Sequence, residues 1–149
     1  MLEQKRAGLS MTSDQDLYHE LMYYTLAHPD PSFIHQNVVD AYAAQKADES
    51  TKNITVVFAL IGLYLHVEKK FTGRQVQKAH MQLAKRRKQW FRPHLPHNRG
   101  GVGVADVLAA APGPQRDAMI HNWCVSVWEA CREARPRIAD LAKNELGIG

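Results

Sequence analysis

Apolar residues recur at helical spacing along most of this chain, and no segment shows the period-two alternation of a half-buried strand. The densest stretch runs from Asn53 to Lys70 and predicts a helix that is apolar around most of its circumference. At about 100° per residue, only Thr55, Ala59, Gly62, His66 and Lys69 form a narrow stripe that is not oily. Such a helix must be covered by others. The remaining elements read as its cover.

Ser13 is placed to cap a first helix, with Asp14 and Asp16 in its opening turn and Leu17, Leu21, Tyr24 and Leu26 on its apolar side. Pro29 ends it near His28. Asp30 and Pro31 then predict a second helix to about Ala47, with Ile34, Val38, Ala41, Tyr42 and Gln45 on one face, His35 beside them and Asp40 nearly opposite. After the central helix, Thr72 caps a segment in which Val76, Ala79, His80, Leu83 and Trp90 keep helical spacing. Residues 91–101 are a loop rich in proline and glycine, and Val104 to Ala111 is a short apolar helix broken by Pro112-Gly113-Pro114. The last element places Ile120, Trp123, Cys124, Val127, Ala130, Cys131 and Ala134 on one face. Pro136 kinks or restarts it before Ile138 and Leu141.

These elements predict an all-α, single-domain bundle of about five to six helices around the central apolar one, spanning residues 13–149 behind a flexible tail at residues 1–12. With 149 residues the chain can bury a proper core. Its longest apolar run, Val56 to Leu65, is too short to cross a bilayer, so no membrane association is expected. Cys124 and Cys131 lie seven residues apart on one predicted helix. That is roughly 10.5 Å along its axis, beyond the roughly 7 Å a disulfide spans. Free core thiols and a reducing, cytoplasmic setting follow.

Eight histidines supply candidate chemistry, yet no His-Glu-x-x-His, Cys-x-x-Cys or Glu-x-x-His signature is present, so no metal is assigned. His35 stands at the edge of an apolar face with Tyr42 and Gln45 as polar companions, which suits an acid–base or ligand-orienting group. His66 on the central stripe, and His121 with Trp128 on the last helix, could meet such a site from other sides. Packing explains the same residues equally well.

Charge changes the picture more. From Lys69 to Arg99 the chain carries ten Lys or Arg and no Asp or Glu, against nine basic and fifteen acidic residues elsewhere, so a net +4 conceals a basic segment on an acidic body. Lys85, Arg86, Arg87, Lys88 and Arg92, beside Trp90 and Phe91, are the candidate polyanion contacts. No ribonucleoprotein box, zinc finger or convincing helix-turn-helix accompanies them.

Several of these segments together resemble a family of small uncharacterised bacterial helical proteins, a domain of unknown function. The resemblance rests on Asp30-Pro31-Ser-Phe-Ile-His35, Val39-Asp40-Ala-Tyr42-Ala-Ala-Gln45, Trp90 with Pro93, Val104-Ala-Asp106-Val-Leu108 and Trp123-Cys-Val-Ser-Val-Trp128. It marks His35, Asp40, Tyr42 and Gln45 as the positions to examine first. The family's cysteine-containing head is missing here, and Lys46 stands where a histidine often follows the glutamine. The resemblance implies neither a cofactor nor a reaction. The leading functional expectation is a ligand- or partner-binding helical domain that offers a basic surface to an acidic partner, a protein or nucleic acid, with a small ligand held near His35. The alternatives are an enzyme with a histidine-centred site around His35, with or without a metal, and non-specific nucleic-acid binding through residues 69–99.

Overall fold

The computed structural model describes residues 13–86 and 89–149. The tail expected at residues 1–12, and Arg87 and Lys88 of the basic run, lie outside the described residues. Seven α-helices follow in order: α1 (Asp14–Ala27), α2 (His35–Lys46), α3 (Asn53–Val67), α4 (Gly73–Arg86), α5 (Val104–Ala109), α6 (Pro114–Ala130) and α7 (Arg135–Leu146), with a 3₁₀ turn at Arg132–Ala134. The fold is all-α and a single domain, as the pattern predicts, with slightly more helices than five to six. The extra one arises at the end of the chain. Pro136 cannot donate to a continuing α6, so the chain passes through the 3₁₀ turn and starts α7 afresh, with proline in its first turn.

The central helix is encased. From Val56 to Leu65 only Phe58 escapes full burial, and α2, α4, α6 and α7 all pack against α3. The six buried aliphatic side chains Val56, Val57, Leu60, Ile61, Leu63 and Leu65 together contribute on the order of 10 kcal/mol of hydrophobic stabilisation, an upper figure because the unfolded chain is itself partly compact. Ala59 and Gly62, on the stripe that is not oily, are buried too. Trp123 and Trp128 of α6 are both in the core, so Trp128 is not on the flank where helical spacing alone would put it. α1 covers α2 and α5, and its Leu26, expected on the apolar side, is 57% exposed.

Trp90, whose spacing would continue α4, lies outside any helix, and other boundaries depart from the sequence reading for local reasons. α3 ends at Val67, and Lys70 turns the chain with φ 62°. α2 starts at His35 and not at Pro31, because Asp30 to Phe33 form a tight turn in which the Asp30 carbonyl accepts from the Phe33 N–H at 3.1 Å and Phe33 adopts φ 55°. That turn docks on the start of α4: the Ser32 carbonyl accepts from the Arg74 N–H at 2.8 Å, and the Arg74 guanidinium lies 4.6 Å from the Phe33 ring centroid. A side chain at Gly73 would run into the Phe33 carbonyl, 1.9 Å from a Cβ placed there.

Gly62 has the same function at the centre of the domain. A Cβ there would sit 1.9 Å from Oδ2 of Asp40, so α2 and α3 approach as they do only because residue 62 has no side chain. Gly62→Ala should therefore destabilise the fold by about 1–3 kcal/mol through overpacking. Asp40→Ala made in the same chain should relieve much of that loss, giving a coupling energy of about 1–3 kcal/mol in a denaturant double-mutant cycle. Additivity within about 0.5 kcal/mol would contradict this packing.

Candidate functional site

Helix α2 carries four of the candidate residues, and each is turned to a different partner. His35 Nδ1 lies 2.8 Å from Thr25 Oγ1. The Thr25 hydroxyl already donates to the Met22 carbonyl at 3.0 Å, so His35 Nδ1–H is the donor and its Nε2 keeps the lone pair. Burial lowers the His35 pKa, which favours this neutral form. Tyr42 stacks on Tyr18 of α1 with centroids 3.8 Å apart and rings 4° from parallel. Gln45 uses both ends of its amide: Oε1 accepts from Trp123 Nε1 at 3.0 Å, and Nε2 donates to the Val102 carbonyl at 2.7 Å. It thus fixes α6 and the loop before α5 to the end of α2.

Asp40 is fully buried between α2 and α3. Its Oδ1 accepts from Gln36 Nε2 at 3.1 Å, while Oδ2 has no hydrogen-bond partner among the described residues. Burial pushes the carboxyl well above the usual carboxylate range, and the Gln36 bond opposes this only in part. The same Gln36 amide reaches His80 Nδ1 at 3.5 Å, and His80 Nε2–H donates to the Phe58 carbonyl at 2.8 Å. Burial holds His80 neutral, with its pKa lowered to about 4. The result is a partly buried polar chain through α4, α2 and α3 that ends at the unpaired oxygen of buried Asp40. Asn37 Oδ1 is unpaired nearby in sequence, and the Cys124 thiol, its pKa raised by burial and then by Asp40, contacts the Asn37 carbonyl at 3.6 Å. Cys131, likewise buried, has its thiol pushed up to about 11. Both cysteines are free, as their spacing requires.

The other two histidine candidates do meet. His66 Nε2 lies 3.1 Å from His121 Nδ1, and His66 Nδ1–H donates to the Phe71 carbonyl at 3.0 Å. Burial is the main cause of a lowered His66 pKa. No hydrogen bond or ring contact among the described residues joins this pair to His35. Trp128 turns elsewhere again, donating to Glu68 Oε2 at 2.7 Å, and Glu68 is held in its charged form chiefly by the Arg135 fork, with Nη2 to Oε1 at 2.7 Å. Among the described residues, no group of three or more His, Cys, Asp or Glu is arranged to hold a metal ion.

The basic segment divides into separate tasks. Arg99 gives Nη1 to the Ala44 and Gln45 carbonyls at 3.1 and 3.2 Å and to that of Ala47, capping the C-terminal end of α2. Arg92 does the same for the connection to α3, with Nη2 on the Asp48 carbonyl at 2.6 Å and Nη1 on that of Thr51. Lys70 Nζ donates to the Val67 carbonyl at 3.1 Å, at the end of α3. Arg74, Lys78, Lys85 and Arg86 remain exposed on α4. Between the 45–50 stretch and the 92–99 loop lies an open cleft of about 990 Å³, with Lys46, Arg92, His94 and His97 among its walls. Arg99, Gln36, His80 and Thr25 were not foreseen from the sequence. Apart from the i, i+4 bond of Gln36 to Asp40, the contacts that tie them into the site span 10 to 55 residues, and no local spacing signals them.

Fold and site together define an all-α domain with a buried acid at its centre and cations on its outer helix. The chain belongs to the family of unknown function DUF5946, whose profile matches residues 12–132, so the resemblance drawn from its motifs holds. No curated protein and no solved structure matches it.

Gln45→Ala should leave the buried Trp123 N–H and the Val102 carbonyl without their partner. The expected cost is about 1–3 kcal/mol, read as a melting temperature lower by several degrees together with faster amide exchange in the 99–103 loop. Unchanged melting would show that Gln45 is not the clamp.

Proposed function

We propose that this domain binds an acidic protein partner through the outer face of α4. What supports this is the placement of four exposed cations, Arg74, Lys78, Lys85 and Arg86, none of which forms an ion pair among the described residues. Arg74, Lys78 and Lys85 fall within an arc of about 60°, opposite buried Leu83, along roughly 16 Å of helix. Met81 stands in the same arc and is 60% exposed. A polarisable apolar side chain ringed by cations suits a protein surface, where methionine adds contact area and carboxylates meet the charges. Nucleic acid would use it poorly. Four phosphate contacts give a logarithmic salt slope of only roughly −4, short of a six- to ten-contact binder. We place this binding in the cytoplasm, where the two buried thiols stay reduced.

The charges steer and orient the partner more than they set its affinity. The direct test compares the wild type with Lys78→Glu/Lys85→Glu for binding a polyglutamate peptide and a DNA duplex across a salt series. Exposed substitutions shift stability by no more than about 0.5 kcal/mol, so both proteins should melt alike. The expected result is polyglutamate binding that weakens with salt and is lost in the variant. Equal binding by both proteins would contradict the proposal, and preference for the duplex would turn it towards nucleic acid.

A further inference from the structure

The meeting of His66 and His121 has the geometry of half a metal site. We propose that His66 Nε2 and His121 Nδ1 bind a divalent late first-row transition metal ion at the outer edge of the α3–α6 contact. The two nitrogens are 3.1 Å apart. Imidazole nitrogens bound to such an ion at 2.0–2.1 Å are separated by about 2.9 Å when cis in a square plane and about 3.3 Å in a tetrahedron, so the observed spacing falls between the two.

The supporting contacts favour this site. His66 Nδ1–H donates to the Phe71 carbonyl at 3.0 Å, which leaves Nε2 as the lone-pair nitrogen and aims it at His121. A backbone carbonyl on the far ring nitrogen is the usual partner of a metal-bound histidine, since it fixes both tautomer and ring orientation. His66 is set on the rigid central helix and half-buried, whereas His121 is exposed on α6, so one ligand is fixed and the other faces the solvent from which an ion arrives. The rings are near perpendicular, at 78°. Lys70 is the cation that bears on His66, and its Nζ is held on the Val67 carbonyl at 3.1 Å. With two protein ligands, the remaining coordination positions are open to water or to a carboxylate of a bound molecule. This site is independent of the α4 face.

Titration calorimetry of the tag-free protein with zinc chloride tests the proposal, using the wild type, His121→Ala and the loop variant His94→Ala/His97→Ala. His121 is exposed, so its alanine variant should fold normally. The wild type and the loop variant should each bind one ion per chain, and His121→Ala should bind at least about tenfold more weakly. Nitrogen-15 spectra of the histidine rings add a readout that a structural role would not move: zinc should shift Nε2 of His66 and Nδ1 of His121 together. Binding no tighter in the wild type than in His121→Ala, loss of binding only in the loop variant, or a zinc-induced shift at other ring nitrogens would each overturn the assignment.

Discussion

A buried carboxyl pressed against a glycine is the contact on which this domain's packing depends. The Asp40 carboxyl lies where α2 crosses α3, in the most extensive helix–helix contact of the fold, and Gly62 supplies the space. An ionised carboxylate there would have one oxygen bonded to Gln36 and the other facing nothing polar, a situation that costs several kcal/mol. Burial accordingly raises the Asp40 pKa well above the usual carboxylate range. With α2 seated this closely, its C-terminal end comes within reach of the Arg99 guanidinium, and Gln45 reaches Trp123 and Val102. The loop that crosses from α4 to α5 is thereby fixed by the same helix that touches the core.

Much of the architecture was legible because it rests on local pattern. The apolar circumference of residues 56–65 demanded encasement and received it, Ser13 caps α1 by accepting from the Asp16 N–H at 3.1 Å, and Pro136 restarts the helix as its missing donor requires. Asp40 shows where that reasoning stops. Its angular position opposite Val38 suggests a solvent face, but α2 is covered on several sides by α1, α3, α4 and α6, so both faces of the helix are interior. Periodicity reports one buried stripe and cannot reveal a second. Pairings such as Arg99 with the Ala44 carbonyl or Gln36 with His80 are set by tertiary folding alone.

The basic segment illustrates the same limit for function. Its composition shows ten cations and no acidic residue from Lys69 to Arg99, and the fold divides the described ones between caps and surface. Arg99 spends its N–H groups on carbonyl oxygens at the end of α2, and Arg92 on those of the connection that follows, so both stabilise the chain before they meet any partner. The cations of α4 have no such engagement beyond the contacts of Arg74 with Phe33 and Gln77. Likewise, eight histidines give rise to only one close histidine–histidine pair among the described residues, at the edge of α3.

The most direct measurement is the titration of Asp40 itself, followed through the carbon-13 shift of its carboxyl in the folded protein. Because folding raises this pKa, the proton is bound more tightly in the native state than in the unfolded chain. Its stabilising effect is complete below the unfolded value, near 3.8, and declines as pH rises towards the folded one, at about 1.4 kcal/mol per pH unit. The Asp40 signal should remain that of a neutral acid well above the pH at which the exposed carboxylates have ionised. Titration of Asp40 in the ordinary carboxylate range, with the fold intact, would contradict the account.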